Sequence, residues 1–175
     1  MLLALLERAG TPYRTVEQEA VFTVAQSRAV ERALPGGHTK NLFLKDKKGN
    51  LFLVTAEAHA AVDMKRLHGP LGAASRLSFG SAELLRETLG VEPGSVTPLA
   101  LANDRAGRVR FFLDRTLAGL ETVNVHPLVN TMTTAIPTPA LCAFLAAVGH
   151  EPTLVDLPAP PEAAEGAEEA EGAAP

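Results

Sequence analysis

The sequence predicts an α+β domain in which a mixed, barrel-like β-sheet curls on itself and is flanked by helices. Three observations point there. Leu42–Leu44 and Leu51–Val54 are apolar without alternation, the pattern of strands covered on both faces. Short strand-like segments outnumber helical ones along the chain. Their connections are partly tight turns and partly helices, which calls for a mixed sheet rather than a purely parallel one.

The first element is a short amphipathic helix that starts in Met1–Leu6 and ends at Gly10. Tyr13–Gln18 alternates loosely, as a strand does. Thr23-Val24-Ala25-Gln26 has capping-box spacing for a helix to about Leu34, which Pro35-Gly36-Gly37 stops. The hairpin follows, with Gly49 in its charged turn to supply a positive φ. Asp63 is expected to cap a short helix through Leu67, and Arg76–Phe79 reads as a short strand. Ser81 heads a helix over Ala82–Leu89 with Gly90 as its C-terminal cap. Further strands are expected at Leu99–Leu101, Arg108–Leu113, Thr122–Val125 and Thr131–Ile136, with a turn at Asp104-Arg105-Ala106-Gly107. Thr138 as N-cap and Pro139 at the first helical position predict a helix over Ala140–Val148, and Thr153–Leu157 a last strand.

At 175 residues and 46% hydrophobic content, the chain can bury one sizeable core, so a single domain over residues 1–157 is expected. Residues 158–175 contain only Pro, Ala, Gly and Glu, have little to bury, and are expected to be a disordered acidic tail. That tail holds five of the 20 acidic residues and none of the 16 basic ones, so the net charge of −4 becomes +1 for the remainder. Such a balance argues against broad coating of nucleic acid and leaves room for a local, site-directed contact. Glu7 and Arg8 interrupt the apolar N-terminus before it reaches signal-peptide or membrane-span length, so no membrane partner is expected.

The lone Cys142 excludes an intramolecular disulfide and any multi-cysteine zinc site, which fits a reducing, cytoplasmic setting. Within Leu141-Cys142-Ala143-Phe144 it reads as a small core residue rather than a nucleophile. The spacings of His38, His59, His68 and His150 match no metal motif; no cofactor or metal is expected, and these histidines receive no role.

Three segments carry candidate chemistry. Lys40 stands at the entrance of the buried hairpin, where a lysine by itself reads most simply as solvated. Gly94-Ser95-Val96-Thr97-Pro98 is a Gly-x-x-x-Pro loop leaving a helix. Gly94 permits close backbone approach, and Pro98 holds Thr97 extended. Stiff loop amides of this kind can bind a carbonyl oxygen and the charge that develops on it during acyl transfer, although the same pattern also describes an ordinary connection. In Asn124-Val125-His126-Pro127, the proline holds His126 extended at a strand end, where an imidazole can serve proton transfer or simply be structural. No Gly-x-Ser-x-Gly elbow surrounds Ser95. The basic clusters Lys45-Lys47-Lys48, Lys65-Arg66 and Arg105-Arg108-Arg110 read as solvated faces, any one of which can meet phosphates.

Taken together, His38-Thr39-Lys40-Asn41-Leu42-Phe43-Leu44, the Gly94–Pro98 loop and Asn124-Val125-His126-Pro127-Leu128-Val129-Asn130 resemble the YbaK family of aminoacyl-tRNA editing domains, and within it the free-standing prolyl-tRNA editing branch. The motifs occur in family order across about residues 1–157. The resemblance implies the family's α+β editing-domain fold, with an aminoacyl-tRNA deacylase domain over those residues. It also implies hydrolysis of the ester joining a wrong amino acid to tRNA, here alanine on proline tRNA, with prolyl-tRNA synthetase as a further partner.

By the same resemblance, Lys40 would hold the phosphate of the terminal adenosine, Asn41 and His126 would position the substrate, and Gly94, Ser95, Val96, Thr97 and Pro98 would form the substrate loop. The nucleophile would be water, assisted by loop backbone groups and the ribose hydroxyl of the substrate. The pocket is expected to be small, bounded by the Lys40 strand, the loop and, from fold placement, Thr23 and Val24. Two other readings stay open: a deacylase of this family for cysteine or serine, and a tRNA-binding module without catalysis.

Overall fold

A computed structural model describes residues 2–8, 10–17 and 24–161. In chain order, its elements begin with α1 (Leu2–Arg8), β1 (Arg14–Glu17), α2 (Val24–Ala33), β2 (Gly37–Lys45), β3 (Leu51–Glu57), β4 (Ser78–Phe79) and α3 (Ala82–Leu89). A 3₁₀ helix (Pro98–Asn103) follows, then β5 (Val109–Asp114), α4 (Arg115–Ala118), β6 (Thr122–Val125), β7 (Met132–Pro137), α5 (Thr138–Ala147) and β8 (Thr153–Val155).

The strands form one eight-stranded sheet in the order β1-β7-β6-β2-β3-β5-β8, with β4 paired to β2. β2–β3, β6–β7 and β1–β7 are antiparallel, whereas β2–β6, β3–β5 and β5–β8 are parallel. The sheet is therefore mixed, as expected, with helices about it. It stays open, because among the described residues its ends, β1 and β8, do not pair.

The unalternating hairpin has a direct explanation. Six of the seven residues of β3 are buried, since β2 and β5 flank it and both faces are covered. Phe43, Leu53, Phe111 and Leu113 point into the larger core with Leu85, Leu89, Leu141 and Phe144. Leu44, Phe52, Val54 and Phe112 point the opposite way, into a smaller cluster with Leu67, Leu71 and Val155. Exposed Arg110 lays its guanidinium 5.4 Å from the ring centres of both Phe52 and Phe112 and so roofs that second cluster.

Several elements differ from the sequence reading. Leu99–Leu101 is not a strand but part of the 3₁₀ helix. Thr97 caps it and Pro98 opens it, and a short apolar run buried on all sides carries no period that separates the two. Asp63 caps a series of turns rather than a helix, accepting from Lys65 N at 2.9 Å. Gly69, Pro70 and Gly72 leave no run long enough for a helix there. α5 starts one residue early, at Thr138, so Pro137 stands at the N-cap, and the Thr138 hydroxyl is buried without a partner instead of capping. Arg76–Phe79 shortens to β4, and Thr153–Leu157 to β8. Pro158 is held in place by its carbonyl, which accepts from Asp63 N at 2.6 Å. The rest of the tail reading, residues 162–175, lies outside the described residues.

Candidate active site

The loop is shaped by local chemistry. Ser81 Oγ accepts from Leu84 N at 3.1 Å to start α3, and left-handed Gly90 closes it with its N–H on the Arg86 carbonyl at 3.0 Å. Asn103 Nδ2 donates to the Leu89 carbonyl at 2.9 Å, so the helix end is tied to the 3₁₀ helix. Glu92-Pro93-Gly94-Ser95 then makes a β-turn with Ser95 N on the Glu92 carbonyl at 3.0 Å. Proline at its second position and Gly94 at φ 87° are the marks of type II. Thr97 is extended (φ −152°, ψ 148°), as the following proline demands.

Asn41 connects this loop to the sheet. Its Nδ2 donates to the Val96 carbonyl at 2.9 Å, and its Oδ1 accepts from the Thr55 hydroxyl at 2.6 Å. Lys40, one residue earlier, projects from the opposite face of β2, where its Nζ donates to the Ala60 carbonyl. Adjacent motif residues thus serve two faces of one strand.

His126 leaves the end of β6. That strand runs parallel to the start of β2, and the Thr39 hydroxyl donates to the Asn124 carbonyl at 2.8 Å. His126 Nδ1 is 3.0 Å from the Met132 carbonyl; a carbonyl only accepts, so Nδ1 carries the proton and Nε2 is left to accept in the neutral ring. The chain then turns through Leu128, which adopts a left-handed φ of 70°. This segment faces the loop across an open cleft of about 370 Å³ whose walls include Pro93 and Ser95 on one side, Leu128 and Asn130 on the other. A Cβ at Gly94 would lie 3.9 Å from Asn130 Nδ2, so the two walls nearly touch there.

The structure therefore joins Asn41 to Val96 directly and sets the His126 segment on the loop's other flank, while Lys40 is held by Ala60. Thr23 lies outside the described residues, as does the side chain of Val24, which starts α2. Sequence reasoning missed Thr55; its signal was a polar β-branched residue closing the apolar run of β3. Cys142 is half-buried, and burial raises its thiol pKa above the ordinary value, which suits a core residue and not a nucleophile. His150 is buried with Nε2 3.1 Å from the Asp104 carbonyl. Among the described residues no group of His, Cys, Asp and Glu could hold a metal ion, and no helix is long and apolar enough to cross a membrane.

At the far end of β2 the hairpin tip is fastened to the segment before β4. Asp46 accepts from Lys48 N, Asn50 N, Asn50 Nδ2 and Ala74 N at 2.8–3.0 Å, and Lys47 N donates to Ser75 Oγ at 2.9 Å. Asp46 is spent on these bonds, whereas Lys47, Lys48 and Arg76 are exposed, and Phe79, paired with Leu44 across β2 and β4, is 60% exposed. Residues 40–80 hold seven basic and three acidic residues, a local basic excess.

A family model describing the aminoacyl-tRNA editing domain matches residues 18–144, a span that includes β2, the loop and His126. The chain belongs to this YbaK-type editing family. It is 37% identical over 154 residues to prolyl-tRNA synthetase associated domain-containing protein 1 of Danio rerio, covering 87% of this chain and 83% of that relative. It is 29% identical over 157 residues to prolyl-tRNA editing protein ProX of Acetoanaerobium sticklandii, covering 89% and 95%. A crystal structure of a candidate trans-editing enzyme for prolyl-tRNA synthetase shares the fold, with a TM-score of 0.68 at 19% identity over 90% of this chain and 95% of that one. The editing-domain fold thus holds the strand, the loop and the histidine segment in the arrangement described above.

Proposed function

We propose that the protein is a trans-editing hydrolase that cleaves the aminoacyl ester of mischarged tRNA, with alanine on proline tRNA as its substrate. The observation that carries this reading is the Asn41–Val96 hydrogen bond, which turns a flexible-looking Gly-x-x-x-Pro connection into a rigid backbone surface in a chain of the editing family. The names of the relatives support proline tRNA as the acceptor and prolyl-tRNA synthetase as an associated partner.

In this mechanism Lys40 gives up the Ala60 carbonyl for a phosphate of the terminal adenosine, a task suited to a compact cation with rotatable donors. Asn41 and Ser95–Pro98 hold the aminoacyl end, and fixed backbone groups of the Gly94 loop stabilise the developing oxyanion without reorganising. A water oxygen attacks the ester carbon and releases its proton to bulk solvent as the tetrahedral intermediate forms. The bond to the ribose oxygen then breaks, that oxygen takes a proton, and free alanine and tRNA leave. The neighbouring ribose hydroxyl assists, and His126 positions the substrate through Nε2. Editing of this kind is needed because a site built for proline rejects the smaller alanine by only about 1–3 kcal/mol per missing methylene, and a small second sieve that excludes proline restores accuracy. Thr23 and Val24 complete the pocket in this reading. The catalytic domain spans residues 1–157, and residues 158–175 act as an appended acidic tail.

Purified protein incubated with proline tRNA carrying alanine or proline, and with cysteine and serine esters, provides the test. Rapid release of alanine but not proline is expected, with turnover lost in Lys40→Ala while its melting temperature holds. Faster release of cysteine or serine would reassign the substrate. Salt-dependent tRNA binding with no cleavage would leave a binding module instead.

A further inference from the structure

Thr55 is fully buried in the central strand, in direct register with Asn41 across the antiparallel β2–β3 pair. Every side chain of β3 from Leu51 to Val54 is apolar, so a hydroxyl placed next in this strand has to be satisfied within the protein. It is, by donating to Asn41 Oδ1 at 2.6 Å. That bond decides which way the Asn41 amide faces. With the amide rotated by half a turn, Oδ1 would oppose the Val96 carbonyl, two acceptors with no proton between them. With Thr55 holding Oδ1, Nδ2 is aimed at Val96 and the 2.9 Å bond forms.

The consequence reaches the loop backbone. The Val96–Thr97 peptide is planar and trans, so fixing its carbonyl toward Asn41 directs the Thr97 N–H the other way. Pro98 supplies no N–H of its own, and Ser95 N is used in the turn with Glu92, so the Thr97 N–H is a loop donor whose direction this one peptide sets.

We propose that Thr55 is a positioning residue for the ester hydrolysis, acting through Asn41 on the Val96–Thr97 peptide of the substrate loop. The proposal rests on the deacylase reading above. Thr55 touches no substrate; it sets the amide that sets the loop.

The test compares single-turnover hydrolysis and tRNA binding for the wild type, Thr55→Val, Thr55→Ser, Asn41→Ala and the Thr55→Val/Asn41→Ala pair, all with alanyl proline tRNA. Thr55→Val keeps the shape and removes the donor. It is expected to slow the chemical step about 10- to 100-fold while the dissociation constant for tRNA stays within about twofold. Thr55→Ser restores the rate to within about threefold, because the hydroxyl returns. The double variant is no slower than Asn41→Ala alone, since both substitutions break one relay. Should Thr55→Val not fold, Thr55→Cys, close in size and a far weaker donor, takes its place with the same expected loss. A Thr55→Val rate equal to the wild type, or losses that multiply in the double variant, would overturn the proposal while leaving the deacylase reading intact. A wild-type protein inert toward all mischarged tRNAs would overturn that reading and the proposal together.

Discussion

Asn41 Nδ2 lies 2.9 Å from the carbonyl oxygen of Val96, 55 positions along the chain, and this contact makes the loop part of the sheet. The adjoining strand β3 is rigid because β2 and β5 pair with it on either side and six of its seven residues are buried. Rigidity passed from a packed strand to loop amides is what transition-state stabilisation requires, since donors that must reorganise lose most of their advantage.

Replacing Asn41 by Asp should be worse than replacing it by Ala. A carboxylate oxygen would oppose the Val96 carbonyl, repelling the loop rather than merely releasing it. Asn41→Asp is expected to lower the rate of alanine release by about 100-fold and Asn41→Ala by less, with both proteins folded. Initial rates on mischarged tRNA decide the order, and equal rates would contradict the role of the amide.

Because the Met132 carbonyl accepts a hydrogen bond from Nδ1–H, His126 can meet a substrate only as an acceptor at Nε2 in its neutral form. A positioning residue predicts a modest loss in His126→Ala, about 10-fold, with a pH–rate profile shaped like the wild type's. A required general base predicts a rising limb in the wild type that disappears in the variant. Rates of alanine release across the pH range distinguish these outcomes.

Lys47, Lys48 and Arg76 are exposed on the hairpin tip and the segment before β4, whose Phe79 is also exposed, a cationic stretch with an aromatic side chain of the kind that meets nucleic-acid backbone and an unstacked base. Converting Lys47 and Lys48 to alanine should weaken binding of every tRNA alike and reduce the slope of log affinity against log salt by about 0.7–0.9 for each phosphate that is no longer neutralised. Hydrolysis of a short alanyl-adenosine mimic should not change. An unaltered salt slope would remove the tip from the binding surface.

The same tip predicts an acid-sensitive element. The Asn50 side chain, aided by the backbone N–H groups of Ala74, Asn50 and Lys48, holds the Asp46 carboxyl below its ordinary value of 3.8, against the opposing effect of burial. The unfolded chain therefore takes up this proton more readily than the folded one. The contribution is fully present above the ordinary carboxylate range and is lost as pH falls through that range toward the lower folded value. Asp46→Asn should melt at a lower temperature than the wild type at pH 7, with the gap closing on acidification, as thermal melts followed at both ends of that range would record.

Much of the fold was legible along the chain because its causes are local. The covered hairpin shows as two runs without alternation, and α3 as a serine and a glycine at its ends. The strand expected at Leu99–Leu101 failed for want of such a local mark. Leu99–Leu101 is buried on every side, so no hydrophobic period separates 3₁₀ helix from strand, and the capping role of Thr97 settles the matter only when its neighbours are in place.

The candidate site divides along the same line. Lys40, the Gly94–Pro98 loop and His126 are recognisable from residue type and spacing, and with them the family. Their geometry follows from contacts between distant segments. The pleat of β2 sends Lys40 toward Ala60 and Asn41 toward Val96, and the β2–β3 register places Thr55 under the Asn41 amide. Caps, turns and burial patterns involve neighbours a few residues apart and so leave a trace in the sequence. A hydrogen bond across 55 positions depends on strand register and packing, which exist only once the chain has folded.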